Sequence, residues 1–475
     1  MIEKYLNMSL HALWHYLNSW RSDNGLLGQA VSYWEWAPAV VAPHSMHAWP
    51  IAFGLIDLYE RGAGEATLEE ARRLCNWYIE DRVPNSNALA WAGGETPRKR
   101  TGDILQSAPI IALAKLAVYD RSGPWLKRAI ELRDVVLEQF WNGRTVSYVG
   151  NHGAYMLAAE AMLEQAGAPG ASSERTKSML RCIERTVYRR GSFSGAVAQA
   201  DFDPRVFDIY VGKALFGLAL YGNCKGVKSV FELMIRIGDY LLRRVDELNT
   251  EGEGLCGFLN WRPRMVQSRF WGALRRLHRD LAGMTLQRRV EAIKVWDIYG
   301  PAWVARGALV SMGLHQAARI LNRPDYEAAA LKVDHWLSLH QDATGGVRNS
   351  FFFLGDPEGG DLWQDVVRPV RWNSYVFAAW ALNENVDSWA PPRRDTVTPA
   401  YEVVKTVRGV EGRRATLVET SDYIDFIDVF EEPLRVNKRV VREEYRDSGG
   451  NAQRPEYARN WVPKKTHRYL QKEFG

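Results

Sequence analysis

The sequence predicts an all-α protein, an (α/α)6 toroid of six helical hairpins followed by a C-terminal appendage of short strands. Three observations lead there. Apolar segments alternate with amphipathic ones at a period of roughly 50 residues, the signature of a helical-hairpin array. The apolar segments open on near-copies of one polar and aromatic start: Val295-Trp-Asp-Ile-Tyr299, Phe207-Asp-Ile-Tyr210, Arg371-Trp-Asn-Ser-Tyr375 and Gly150-Asn-His-Gly-Ala-Tyr155, with Thr101-Gly-Asp-Ile-Leu-Gln106 a looser version. The first and last helices lack neighbours along the chain, and packing them together closes a ring. An open solenoid gives the helix starts no reason to share Asp and Trp; a ring lines one cavity with them.

The elements follow in order. Residues 3–21 carry Leu6, Leu10, Leu13, Trp14 and Leu17 on one helical face. A loop with Tyr33-Trp-Glu-Trp36 leads to an apolar helix over 45–60, with His44, His47 and Trp49 at its start. Arg61-Gly-Ala-Gly64 ends it, and Thr67-Leu-Glu-Glu70 reads as the capping box of an amphipathic partner. Apolar 103–119 is answered by 125–140, 151–166 by 173–189, 207–221 by 225–244 and 297–321 by 325–340, while 372–384 has no successor. Residues 245–296 interrupt the period with a Gly- and Arg-rich excursion that holds a basic helix over 268–281; long insertions of this kind often rim a site. After Ala390-Pro-Pro392 the composition shifts, so the toroid is assigned to 1–392 and the appendage to 393–475. Ala415-Thr-Leu-Val-Glu419 and Tyr423-Ile-Asp-Phe-Ile427 read as its strands, and it packs on the ring or on a partner subunit of a homo-oligomer.

Composition narrows the function. At 475 residues and 46% hydrophobic, the chain buries one large core or two ordinary ones. A net charge of +5 suits acidic small partners and falls short of a nucleic-acid-binding face. No apolar run reaches the ~18 residues of a membrane span. Cys75, Cys182, Cys224 and Cys256 are scattered without a CxxC pair, which suggests reduced thiols and a cytoplasmic setting. The start of the chain lacks the pattern of a signal peptide. No phosphate-binding loop, dinucleotide fingerprint or GxSxG elbow is present, so nucleotide chemistry and serine hydrolysis drop away, and no cofactor is expected. His44 and His47 stand three apart without a third ligand at a telling spacing, so no metal is expected.

Asp103, Asp208 and Asp297 each stand at the start of an apolar helix, and a toroid brings all three to one funnel. Alone, each serves equally well as an N-cap. Together they are candidates for the paired carboxyl groups of glycoside cleavage. Glu35 between Trp34 and Trp36 has the apolar setting that keeps a carboxyl group protonated. Asn151, His152 and Tyr155 form a second constellation: an amide to grip a carboxylate and a base for the proton beside it, with Tyr210 as a phenol at the next helix start. Trp296, Tyr299, Trp372, Asn373 and Tyr375 complete an aromatic, amide-bearing mouth, and Arg306, Arg368 and Arg371 are candidate carboxylate clamps.

Pro301-Ala-Trp-Val-Ala-Arg-Gly-Ala-Leu-Val-Ser-Met-Gly-Leu314, followed by Leu321-Asn-Arg-Pro-Asp-Tyr-Glu-Ala-Ala329, resembles the six-hairpin glycosidases, above all the unsaturated glucuronyl and rhamnogalacturonyl hydrolases. Thr101-Gly-Asp-Ile-Leu-Gln-Ser-Ala-Pro109 is similar to the helix that carries an Asp in that group, so the resemblance implies an acid/base role for Asp103. Asn151-His-Gly-Ala-Tyr155 also resembles the asparagine-histidine element of toroidal polysaccharide lyases, with Gly150 where a second asparagine is usual. The expectation is therefore hydrolysis of uronic-acid-containing oligosaccharides by Asp103 with Asp208 or Asp297. The alternatives are β-elimination by Asn151, His152 and Tyr210, terpenoid cyclisation or isomerisation in a drier cavity, and a non-enzymatic scaffold that binds a peptide at the aromatic mouth.

Overall fold

The structure, a computed structural model, describes residues 10–19, 30–31, 40–41, 45–83, 85–89, 103–190, 193–200, 203–246, 301–303, 305–339, 341, 345–347, 350–352, 370–389, 391, 402–408, 414–419 and 424–429. Among them stand twelve α-helices. Six are apolar on nearly every face: α2 (Ser45–Glu60), α4 (Asp103–Tyr119), α6 (Gly150–Gln165), α8 (Asp208–Lys225), α10 (Ala308–Leu321) and α12 (Val370–Ala381). A helix with no polar face must be covered on all sides. These six pack in chain order, and α12 returns to α2, so they form a closed inner ring. The other six are α1 (Leu10–Ser19), α3 (Glu65–Glu80), α5 (Trp125–Phe140), α7 (Ser173–Thr186), α9 (Lys228–Asp246) and α11 (Pro324–Ser338). Each lays an apolar stripe on one inner helix: α3 on α2, α5 on α4, α7 on α6, α9 on α8 and α11 on α10. The first helix, α1, covers the last, α12. Trp14 sits 5.4 Å from Phe377 and 6.5 Å from Trp389 at that seam. The protein has the (α/α)6 toroid fold, closed where the sequence predicts.

Short turns reverse the chain within each hairpin. Gly226 after α8 and Asn322 after α10 adopt left-handed backbone, φ 62° and 52°, the usual way to stop a helix. Pro324 then opens α11 and Ser172 caps α7, its hydroxyl accepting the Arg175 N–H at 3.2 Å. Two local expectations need correction. Thr67 is not a cap: α3 begins two residues earlier, and the Thr67 hydroxyl donates back to the Ala63 carbonyl at 3.3 Å. The helix predicted over 297–321 begins only at Ala308, after a single 3-10 turn at Ala305–Gly307. Ahead of it Pro301–Trp303 is a strand, antiparallel to Ser350–Phe352. Proline at 301 disfavours helix in the residue before it, and Gly300 adds a second break.

The interior of the ring is filled by rings from facing helices. Trp49 of α2 meets Tyr155 of α6 edge-on at 5.6 Å and Tyr375 of α12 at 5.6 Å, and Phe53 meets Phe216 of α8 at 5.3 Å. All five are buried. Each burial stabilises by roughly 1.5–3 kcal/mol, and the edge-to-face geometry adds to this. At the opposite end from the helix starts, Asp57 collects Arg61 at 3.0 Å, Arg319 at 3.0 Å and Lys115 at 3.7 Å.

The C-terminal strands β-pair in chain order: Glu402–Arg408, Arg414–Glu419 and Ile424–Val429 form an antiparallel meander. The second and third fall on the predicted strands, and the last lies beside Val40–Val41. The basic helix expected over 268–281, Cys256 and the tail beyond 429 lie outside the described residues. Among the described residues, Cys75, Cys182 and Cys224 are free thiols, and no helix is long and apolar enough to cross a membrane.

Candidate active site

All six inner helices run the same way, so their N-termini surround one mouth. On α6, Gly150 and Gly153 face the outer helix α7: a Cβ on Gly150 would lie 2.6 Å from the Thr186 hydroxyl. Asn151 and Tyr155, four residues apart, lie on the opposite stripe and look into the ring. Both are buried, with 2% and 0% of their surface exposed. The helix is capped at Val149 without a side-chain bond, so Asn151 does no capping. Its Oδ1 and the Tyr155 Oη are buried with no hydrogen-bond partner among the described residues. The Trp49 Nε1, beside Tyr155, shares that condition. Buried polar atoms are satisfied in the great majority of cases, so two donors and an acceptor left open in one place point to a ligand. Burial, with Tyr375 close by, holds the Tyr155 phenol well above its ordinary pKa. It is a neutral hydrogen-bond donor, not a base.

His152 stands next along α6, partly exposed, with Nδ1 3.4 Å from the Ser147 hydroxyl. That hydroxyl also accepts the Val149 N–H at 3.2 Å, so the loop before α6 fixes the imidazole. On α8, Gly212 presses against α10 and Gly217 against α6: added Cβ atoms would come within 2.5 Å and 2.7 Å of backbone. Between these two contacts on the helical wheel lie Lys213 and Phe216, which face the interior. Lys213 is 6% exposed, and its Nζ lies 4.9 Å from the Tyr155 ring centroid. No reading of the sequence above singled it out. The signal was there: one cation in the run Ile209-Tyr-Val-Gly-Lys-Ala-Leu-Phe-Gly-Leu218. Arg306, in the turn before α10, is buried and stacks its guanidinium 4.5 Å over Trp372 at the start of α12.

Other candidates take different places. Asp208 is buried and turned outward: it accepts the Tyr240 hydroxyl at 2.6 Å and Arg244 Nε at 3.1 Å, both from α9. This carboxylate is neither a cap nor open to the interior; it fastens an inner helix to its outer partner. Asn373 is turned to backbone, accepting the Val347 N–H at 2.7 Å and donating to the Val347 carbonyl at 3.0 Å. Tyr375 belongs to the aromatic filling. Tyr210 is partly buried, its ring 5.3 Å from Phe207. Asp103 is the first residue of α4, His47 the third of α2 and Arg371 the second of α12, with side chains outside the description. Trp34, Glu35, Trp36, His44, Trp296, Asp297, Tyr299 and Arg368 lie outside the described residues. Among the described residues no cluster of three His, Cys, Asp or Glu side chains suits a metal ion. A groove of about 700 Å³ on the outer layer, between Arg82–Asn87 and α5, contains no inner-helix residue.

No family model matches the chain. No curated protein matches it. Solved structures do. A cellobiose 2-epimerase from Bacillus thermoamylovorans B4167 superposes with a TM-score of 0.54 at 11% identity, over 80% of this chain and 97% of that one. A sugar epimerase from a ruminal bacterium gives 0.54 at 13%, over 80% and 98%. A D-mannose isomerase gives 0.50 at 10%, over 80% and 97%. At these identities the likeness establishes the fold.

Proposed function

We propose that the protein is a carbohydrate-active enzyme that moves a proton at a sugar carbon next to a carbonyl or carboxylate. One observation carries this reading. Asn151 and Tyr155, one turn apart, present open polar atoms to the interior, with His152 beside them, whereas Asp208 is held by α9. Glycoside hydrolysis needs two working carboxyl groups. Proton transfer needs a base with a tunable charge, a group to hold the oxygen and an enclosure that excludes water. His152 is the base, Tyr155 and Asn151 orient the sugar, and Arg306 stacked on Trp372 is a cation at the mouth for an acidic substrate. Tyr210 serves as the proton donor if a leaving group departs. Epimerisation, aldose–ketose isomerisation and β-elimination all begin with this step, and the names of the similar structures, epimerases and an isomerase, agree with it.

The test is carbon-bound hydrogen exchange in ²H₂O, followed by NMR with cellobiose, D-mannose and saturated uronic-acid oligosaccharides. Ultraviolet absorbance reports any unsaturated uronate formed. Exchange or elimination that disappears in His152→Ala is the expected result. A second reading, hydrolysis of uronic-acid-containing oligosaccharides, is favoured by the position of Asp103 as the first residue of α4, a carboxylate at the mouth-side end of an inner helix. Release of new reducing ends without exchange, abolished by Asp103→Asn, would replace the first reading with the second.

A further inference from the structure

The interior of the ring changes character with depth. Asn151 is the second residue of α6 and Trp49 the fifth of α2; Tyr155 and Tyr375 are the sixth of α6 and α12, and Phe53 and Phe216 the ninth of α2 and α8. At 1.5 Å of rise per residue, these four levels lie about 2, 6, 8 and 12 Å below the helix starts. The lowest pair meets across the ring at 5.3 Å, fully buried, and the Lys115 ammonium lies 4.3 Å from the Phe53 ring centroid. A polymer cannot thread this ring. Whatever enters comes end-on and stops at the phenylalanines.

Above that floor stand the polar atoms left open among the described residues: Asn151 Oδ1, Trp49 Nε1 and Tyr155 Oη. The amide oxygen accepts, the indole donates, and a phenol does both. Sugar hydroxyls, each a donor and an acceptor, complement this set. A carboxylate does not, because it only accepts and would face the Asn151 oxygen without a proton between them. The Lys213 ammonium, 4.9 Å from the Tyr155 ring centroid, is engaged in a further interaction of its own. Even beside it, burial holds the Tyr155 phenol well above its ordinary pKa, so negative charge is costly at this depth.

We propose that the aromatic layer of the ring is a subsite for one uncharged sugar unit, entered end-on from the mouth, and that Asn151, Trp49 and Tyr155 determine specificity by reading its hydroxyl groups. This assignment rests on the proposed function and narrows its substrate. The unit held in the ring is a neutral sugar, and an acidic group, where the substrate carries one, belongs to the part that stays at the mouth. Recognition is strict, because an analogue that lacks a hydroxyl leaves a buried polar atom of the protein unpaired.

Isothermal titration calorimetry tests the subsite without requiring turnover. The ligands are D-mannose, cellobiose, the monodeoxy analogues of cellobiose, and the two acids in which the primary alcohol of one ring or the other is oxidised to a carboxylate. They are titrated into the wild type, Tyr155→Phe and Asn151→Leu. Circular dichroism checks folding, and Tyr155→Phe keeps the aromatic packing should the leucine variant fail to fold. A neutral sugar is expected to bind, and at least one acid to bind about tenfold or more weakly than cellobiose. Tyr155→Phe should weaken the neutral sugar by about 3–10-fold, the effect of one neutral hydrogen bond. One deoxy analogue should lose affinity for the wild type and lose nothing further in Tyr155→Phe, whereas a tyrosine that only packs gives additive losses. The assignment is overturned if both acids bind as tightly as cellobiose, if the folded variants bind neutral sugars like the wild type, or if neither cellobiose nor D-mannose binds. Binding that follows the expected pattern without any hydrogen exchange supports the subsite and overturns the proton-transfer reading instead.

Discussion

Asp57 of α2 and Arg319 of α10 meet at 3.0 Å across 262 positions of sequence, and their bond locks the far end of the ring. Arg319 also donates to the Leu382 carbonyl, and Arg61 donates to the carbonyls of Ala381 and Glu384. Both arginines thus satisfy the C-terminal end of α12, the last helix to join, while Asp57 holds them in place from α2. Cations at a helix C-terminus are favoured by the dipole as well as by the free carbonyls. The ring is closed by charge at this end and by Trp14, Phe377 and Trp389 on its outer side.

Asp57→Asn is therefore expected to destabilise the fold. The Asp57 side chain is 4% exposed and Lys115, one of its three cationic partners, 8%. Removing the charge takes this counterion from Arg61 and Arg319, while Lys115 keeps Glu60 at 2.8 Å; the loss is about 3–5 kcal/mol for a fully buried pair. Arg61 and Arg319 are roughly a third exposed, so water takes up part of the loss and about 3 kcal/mol is expected. Urea unfolding measures it; a change under about 0.5 kcal/mol, typical of an ordinary surface site, would mean that the network does not close the ring.

A second lock is steric. A Cβ on Gly212 would lie 2.5 Å from the Leu309 carbonyl oxygen, and one on Gly313 would lie 2.4 Å from that of Gly212. Helices α8 and α10 touch backbone to backbone here. Gly212→Ala forces them apart and should destabilise by about 1–3 kcal/mol, the usual cost of overpacking, although alanine is the better helix former. Urea unfolding measures it, and a Gly212→Ala variant as stable as the wild type would contradict the close approach.

The hairpin spans are legible in the sequence because inner helices are apolar throughout and end at Gly- or Pro-rich turns: 45–60, 103–119 and 125–140 coincide with α2, α4 and α5. The start of α10 was misread, because Trp296-Asp-Ile-Tyr299 copies the opening of α8 while the Gly300-Pro301 break carries the opposite instruction. The fate of Asp208 could not be read at all. Its partners Tyr240 and Arg244 are 32 and 36 residues away on an amphipathic helix, where one arginine looks like any other. Local sequence announces that an Asp opens a helix; only packing decides whether it turns to the cavity or to the outer layer.

His315 gives the fold a pH dependence. It is buried in α10, with Nδ1 3.0 Å from Glu327 and Nε2 2.7 Å from Asp334, both on α11. Burial, the largest single influence, lowers its pKa, but the two carboxylates together outweigh it and raise the value to about 9. The unfolded chain titrates near 6.5, so the stabilisation is complete below that pH and is lost as pH rises through about 9. A loss of about 3 kcal/mol between these limits is expected at ~1.4 kcal/mol per unit. Glu327 behaves oppositely: the His315 hydrogen bond lowers its pKa, so its contribution is present above about 4.5, its unfolded value, and lost in acid. Urea midpoints between pH 6 and 10 should fall for the wild type, and that fall should be absent in His315→Gln.

Activity and stability should separate between His152 and Asp208. His152 is partly exposed and its Nδ1 lies 3.4 Å from the Ser147 hydroxyl, so His152→Ala should cost no more than about 1 kcal/mol of stability, the centre of the range for single substitutions. As the base it should cost about 10²–10⁴-fold in the rate of hydrogen exchange. Asp208→Asn does the reverse. It removes the carboxylate that Arg244, 5% exposed, meets at 3.1 Å and weakens the Tyr240 bond, so the protein loses about 3 kcal/mol in urea. The fraction that remains folded should keep its chemistry, because the Asp208 carboxylate faces α9. The two measurements, unfolding midpoint and exchange rate per folded molecule, form a cross. If Asp208→Asn abolishes turnover while its midpoint stays at the wild-type value, the carboxylate works in the cavity, and hydrolysis by paired carboxylates becomes the better account of this ring.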